Sequence, residues 1–191
     1  MKEEAWNGNN RGKWSLWASI GLVVVLIIIL FLYLALKGPN YDEQYSTKDI
    51  VNPAEGLSLE QAVEKFDESF VYYLLFSIKA YNLHNPPLSG NSPKMEIFVG
   101  NEQYNSIINK GKIEIGRGDL EKEDIIIRMT TEEAVKMIMD TNYIIESFSS
   151  GKSGIEMKAE KSTLFAKGYL KLYEELTGKG ISGNVIKIYL D

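Results

Sequence analysis

Between Trp14 and Leu36 the chain carries 23 consecutive uncharged and mostly apolar residues, WSLWASIGLVVVLIIILFLYLAL. A helix of that length rises roughly 34 Å, enough to cross a ~30 Å hydrocarbon core. The pattern predicts a retained single-pass transmembrane helix over 14–36, with Trp14 and Trp17 at one interface, Tyr33 near the other, and Val25 and Ile28 at mid-bilayer depth. Arg11, Lys13 and Lys37 bracket it. A cleaved leader has an apolar core of about 7–15 residues and ends in small residues, and Leu34-Ala35-Leu36-Lys37 is a poor site of that kind. Residues 1–13 then form a short polar N-tail and 37–56 a flexible tether, polar and holding two prolines, with a reach of roughly 25 Å.

Periodic patterning resumes in residues 57–191, the size of one domain with its own core. Ser58-Leu59-Glu60-Gln61 is a capping box, and Val63, Phe66, Phe70, Leu74, Ile78 and Tyr81 recur at helical spacing after it. This helix is also apolar on its far side, at Tyr72, Leu75 and Phe76. The prolines and glycine between Asn82 and Pro93 predict a loop. Alternating residues then predict strands over Lys94 to Val99, Glu102 to Ile108, Lys112 to Ile115 and Ile125 to Met129, with turns at Gly100-Asn101 and Asn109-Lys110-Gly111 and a loop over Gly116 to Glu123. Thr130-Thr131-Glu132-Glu133 is a second capping box, opening a short helix to about Asp140, and Tyr143 to Phe148 adds another turn or two. A strand over Ile155 to Ala159 and a helix over Thr163 to Leu176 follow, the latter with Leu164, Phe165, Tyr169, Leu172, Tyr173 and Leu176 inward. Asn184 to Asp191 reads as a last strand. The expected fold is therefore α+β: an antiparallel sheet of five to six strands, with helices on one face, behind a single transmembrane helix.

Charge narrows the partners. Beyond Lys37 there are 17 Lys and Arg against 24 Asp and Glu, interspersed, a balance of −7. No basic stripe is present to track phosphates, so nucleic acid is not an expected ligand, and anionic headgroups are disfavoured too. Lys2, Arg11 and Lys13 precede the apolar run and Lys37 and Lys48 follow it, which places the N-tail in the cytoplasm and the C-terminal domain outside it. With zero cysteines, no thiolate metal site, catalytic thiol, disulfide or lipidated cysteine can form. There is no Asn-x-Ser/Thr sequon.

Enzyme chemistry finds little to build on. His84 is the sole histidine and sits in the Pro-rich loop, so neither a histidine metal cluster nor a Ser-His-Asp relay can be assembled; it reads as solvated surface. Gly151-Lys152-Ser153 ends like a phosphate-binding loop, but Glu146 stands where that motif needs glycine. Asp67-Glu68, Glu132-Glu133 and Glu174-Glu175 are adjacent carboxylates that diverge by about 100° on a helix, so they read as solvated faces and a helix cap. A Ser-Lys dyad of Ser149, Ser150 or Ser153 with Lys152 is open on sequence, with nothing singling it out. The expectation is a non-enzyme with no catalytic residue, cofactor or metal.

Two stretches carry a family resemblance. Glu123-Asp124-Ile125-Ile126-Ile127-Arg128-Met129-Thr130-Thr131-Glu132-Glu133-Ala134 resembles the segment of the sterol carrier protein family in which an alternating strand runs into a Ser/Thr-capped acidic helix start. Phe148-Ser149-Ser150-Gly151-Lys152, followed by Ile155, is similar to that family's Phe-x-x-Gly-Lys turn. The likeness spans roughly Leu57 to Leu176; the anchor, the last strand and Ser153-Gly154 depart from it. It implies helices and sheet around an apolar lipid tunnel without catalytic machinery, lined by Phe70, Tyr73, Phe76, Met137 and Tyr143. Two readings stand. One is a membrane-anchored module holding a lipid or other hydrophobic small molecule, partnered with the bilayer through 14–36. The other is a non-catalytic scaffold subunit of a membrane-associated complex, its pocket filled by side chains and its apolar surface covered by protein partners.

Overall fold

A computed structural model of the protein describes residues 11–37, 50–86 and 89–179. The chain divides between Lys37 and Gly38 into two units. The first holds α1 (Arg11–Lys37), a single helix of 27 residues with no acidic residue in its first turn. Its described side chains are those of 17–33, all exposed, among them Trp17, Val25, Ile28 and Tyr33. That is 17 uncharged positions, and on that count no helix among the described residues is long and apolar enough to cross a membrane. The side chain of Trp14 lies outside the described set.

The second unit begins before its first helix. Ile50 and Leu57 pack on the core, Ala54 is buried in it, and Asn52 donates from Nδ2 to the Ile138 carbonyl at 3.0 Å. Residues 50–56, expected in the tether, are thus part of the folded surface, while 38–49 lie outside the described residues. The capping box at Ser58 starts α2 (Leu59–Glu64) as expected. The expected long helix then breaks at Lys65–Asp67 and restarts as α3 (Glu68–Ser77), with Asp67 as its N-cap accepting from Ser69 N. An Asx side chain two residues before a free N–H competes with helical continuation, and here that competition wins over the apolar period. A 3₁₀ turn, Ala80–Asn82, follows.

The sheet comprises β1 (Lys94–Val99), β2 (Glu102–Asn109), β3 (Lys112–Arg117), β4 (Ile125–Met129) and β5 (Gly154–Met157), in spatial order β3-β2-β1-β4-β5. Pairing is antiparallel except at the centre, where β1 and β4 run parallel with Met95 opposite Ile125 and Val99 opposite Met129. The sheet is therefore mixed, a correction to the all-antiparallel expectation. Alternation reports which face a strand buries and says nothing of its neighbour's direction. β3 also runs two residues past Ile115 into the expected loop, and the Lys158 and Ala159 amides bond the Asp124 carbonyl instead of extending β5. The expected last strand, Asn184 to Asp191, lies outside the described residues.

Met95, Ile97, Val99, Tyr104, Ile108, Ile125, Ile127 and Met129 point into one core with α4 (Thr131–Met139), α5 (Tyr143–Ser149) and the other helices of this unit. The opposite face carries Glu96, Gln103 and Ile126, with the Arg128 guanidinium 4.1 Å over the Phe98 ring.

The expected helix over Thr163 to Leu176 is two helices, α6 (Lys161–Ala166) and α7 (Tyr169–Thr177), separated by Lys167 and by Gly168 at φ +86°. The break turns Phe165 outward to 48% exposure and Lys167 inward to 1%. A Cβ on Gly168 would meet the His84 ring at 3.2 Å, and His84, expected on the surface, is half-buried there with its amide bonded to the Lys167 carbonyl. Gly168→Ala should therefore lose roughly 1–2 kcal/mol. Urea unfolding of the two proteins measures this, and equal midpoints would show that the break does not need glycine.

Candidate functional site

Two spaces meet at Phe148. One is an apolar seam between Leu74 and Leu75 of α3, Ile78 just past its end, Ile97, Ile127 and Met129 of the sheet, and Leu176 of α7, with Phe148 in its wall. It is too narrow to admit a water molecule. The other is a surface groove of about 450 Å3 between β5, the end of α5 and α7, whose apolar wall is Phe148, Ile155 and Tyr173. Ser149, Ser150, Gly151, Ser153, Gly154, Thr177 and Lys179 supply its polar lining. Its volume falls in the range of small-molecule sites, with a lining more polar than apolar.

The Phe148–Ser153 turn shapes the groove. Gly151 stands at φ +78°, and the Lys152 and Ser153 amides both bond the Ser147 carbonyl, at 3.0 and 3.1 Å. This fold brings Ser153 back over α5, where its Oγ lies 2.8 Å from Ser147 Oγ. Ser147 in turn donates to Glu133 Oε2 at 2.8 Å, and Tyr143 donates to the same oxygen at 3.0 Å. Glu133 is held there by the second capping box, whose Thr130 hydroxyl accepts from the Glu133 amide. Burial works against the charge on Glu133, but hydrogen bonds from Ser147, Tyr143 and Lys136 outweigh it and hold its carboxyl below the ordinary carboxylate value. Glu133, Ser147 and Ser153 are all buried.

A second buried polar group lies across the sheet. Lys167 Nζ contacts both carboxylate oxygens of Asp124 at 2.8 Å and donates to the Ser92 carbonyl at 3.0 Å. Asp124 also accepts from Lys94 N and from Tyr169 OH, and Tyr169 OH lies 3.1 Å from the Lys94 carbonyl. Burial, then the Asp124 charge, push the Tyr169 phenol well above its usual value, so it stays a donor. This group joins the starts of β1 and β4 to the α6–α7 break. It does not line either space.

Of the residues expected to line a tunnel, Phe70, Phe76 and Met137 are buried in the core and Tyr73 and Tyr143 pack half-buried against it. None of the five lines the seam or the groove. Tyr143 instead places its hydroxyl between Glu133 and Lys152 Nζ, which donates to it at 2.9 Å. Sequence reading passed over Ser147 and Lys167, and it named Glu133 only as a cap residue and Ser153 only as a dyad candidate with Lys152. The serines gave no periodic signal. Among the described residues no cluster of His, Cys, Asp or Glu is arranged to hold a metal ion.

No protein-family model matches the sequence, and no curated protein matches it. Solved structures similar to it include palmitated SCP2L2 from Aedes aegypti, at 15% identity and a TM-score of 0.34 over 51% of this chain and 92% of that one. Sterol carrier protein 2 from Yarrowia lipolytica in its apo form matches at 13% identity and a TM-score of 0.30 over 63% and 88%. The sterol carrier protein domain 2 of Helicoverpa armigera matches at 19% identity and a TM-score of 0.30 over 65% and 86%.

Proposed function

We propose that this protein is a membrane-anchored, non-enzymatic module that holds a lipid or other hydrophobic small molecule, seated in the groove against Phe148. The observation that carries this is the shared wall: Phe148 lines both the open groove and the narrow apolar seam, and in this reading an acyl chain enters the seam by displacing that ring. Each buried methylene of an acyl chain contributes about 0.8 kcal/mol, so the first few offset much of the cost of opening the seam. Anchoring rests on the uncharged run of 23 residues within α1 and on the exposed apolar side chains of 17–33. The excess of positive charge before that run puts the N-tail in the cytoplasm and the domain on the other side.

Gly154 offers the test, because a Cβ there meets no atom within 4 Å and the residue lines the groove. Gly154→Trp should fill the groove from the strand edge, weakening binding of a fluorescent acyl probe at least roughly tenfold while leaving unfolding within about 0.5 kcal/mol of wild type. Wild-type binding should saturate and tighten with chain length. A wild type that does not saturate, or a variant that binds as well, would remove the binding-module reading.

The scaffold reading is favoured by one observation. Phe70, Phe76 and Met137 are already packed, and the seam is too narrow for a water molecule, so side chains fill the interior around them.

A further inference from the structure

Resting on the binding-module reading, the direction of the hydrogen bonds behind the groove defines the head of the ligand. Glu133, ionised, can only accept, so the single proton of Ser147 is committed to it. The 2.8 Å contact between the serines must then run from Ser153 to Ser147, which uses the single proton of Ser153 as well. Ser153 lines the groove, and its hydroxyl has no other hydrogen-bond partner among the described residues, so a ligand group that reaches its oxygen meets lone pairs and no donor. A buried acceptor left unmatched is costly, and one faced by another acceptor is worse.

We propose that the groove selects an amphipathic molecule whose polar end donates a hydrogen bond, an alcohol or amide rather than a carboxylate, with the chain directed past Phe148 toward the apolar seam. The relay ends on the Glu133 charge, which opposes a second anion in the same place. Among the described residues Lys179 is the charged one lining the groove, and it is exposed, where its attraction for a carboxylate is screened by water. Discrimination therefore falls to the desolvated Ser153 end.

The test places the full chain in nanodiscs, adds equimolar hexadecan-1-ol and hexadecanoate, and reads occupancy by native mass spectrometry. Wild type should carry the alcohol in roughly tenfold excess, the discrimination one matched against one mismatched hydrogen bond supplies. In Glu133→Gln the side-chain amide can donate to Ser147, so either direction of the relay can form and the ratio should fall toward one. Ser153→Ala removes the acceptor with little change in volume; it should lower alcohol occupancy and raise that of the acid, and it keeps the test decisive should the Gln variant unfold. Both ligands bound equally by wild type would overturn the donor-head inference while leaving the binding module standing. Neither ligand bound would overturn both, and a preference unmoved by Ser153→Ala would place the selecting group elsewhere and overturn the inference.

Discussion

Replacing Asp124 by Ala should cost the domain roughly 3–5 kcal/mol, the loss expected when one partner of a buried ion pair is removed and the other is stranded. The Lys167 ammonium is 1% exposed and its charge partner is Asp124, with the Ser92 carbonyl as its other contact. The same substitution strands the Lys94 amide, bonded to Asp124 at 2.8 Å, and leaves the Tyr169 hydroxyl with the Lys94 carbonyl as its acceptor. Loss on that scale is a large share of the 5–15 kcal/mol available to a typical domain. Chemical denaturation of the two proteins, followed by far-ultraviolet circular dichroism, measures it. The companion double variant, Asp124→Leu with Lys167→Met, should recover most of the loss, because a matched apolar pair carries no desolvation debt. If the single variant unfolds within 1 kcal/mol of wild type, the pair is not the clamp its geometry describes.

The second large effect concerns the first unit. Val25→Arg together with Ile28→Arg places two charges midway along α1, each costing on the order of 3 kcal/mol at the centre of a bilayer. The doubly substituted protein should leave the membrane fraction on ultracentrifugation, whereas wild type should stay with it after washing in high salt and carbonate. A wild type that washes off intact would end the anchor proposal.

Most element positions were legible because burial imposes a period. All five strands of the sheet overlap the stretches where alternation placed them, and both helices start at the expected caps, with the reciprocal capping box formed at Ser58 and only the Thr130 half of it at the second. The two helix breaks share a cause: each is a place where one polar side chain overrides an apolar rhythm. Asp67 ends a helix that the hydrophobic spacing would continue, and Lys167 with Gly168 does the same inside the last one. A buried lysine cannot be told from a solvated one by spacing, since its partner lies 43 residues away. The site fared worse than the fold. Phe70, Phe76 and Met137 were chosen for being apolar, and the core claims apolar residues first; the groove is walled largely by serines and glycines, which have no pattern of their own.

The parallel pairing at the centre of the sheet sets an order of events during folding. β1, β2 and β3 are joined by turns of a few residues and can zip together locally, whereas β4 must reach β1 across the whole hairpin, Met95 meeting Ile125 and Val99 meeting Met129. Until it does, β1, the strand at the centre of the sheet, presents an open edge, and its parallel partner begins 30 residues further along the chain. On a ribosome moving at about 5–20 residues per second that edge is exposed for a second or more before β4 emerges. The vulnerable moment in the life of this protein is therefore its synthesis, when three strands are made and the fourth is still to come, and it is there that a chaperone able to cover an unpaired strand would raise its yield.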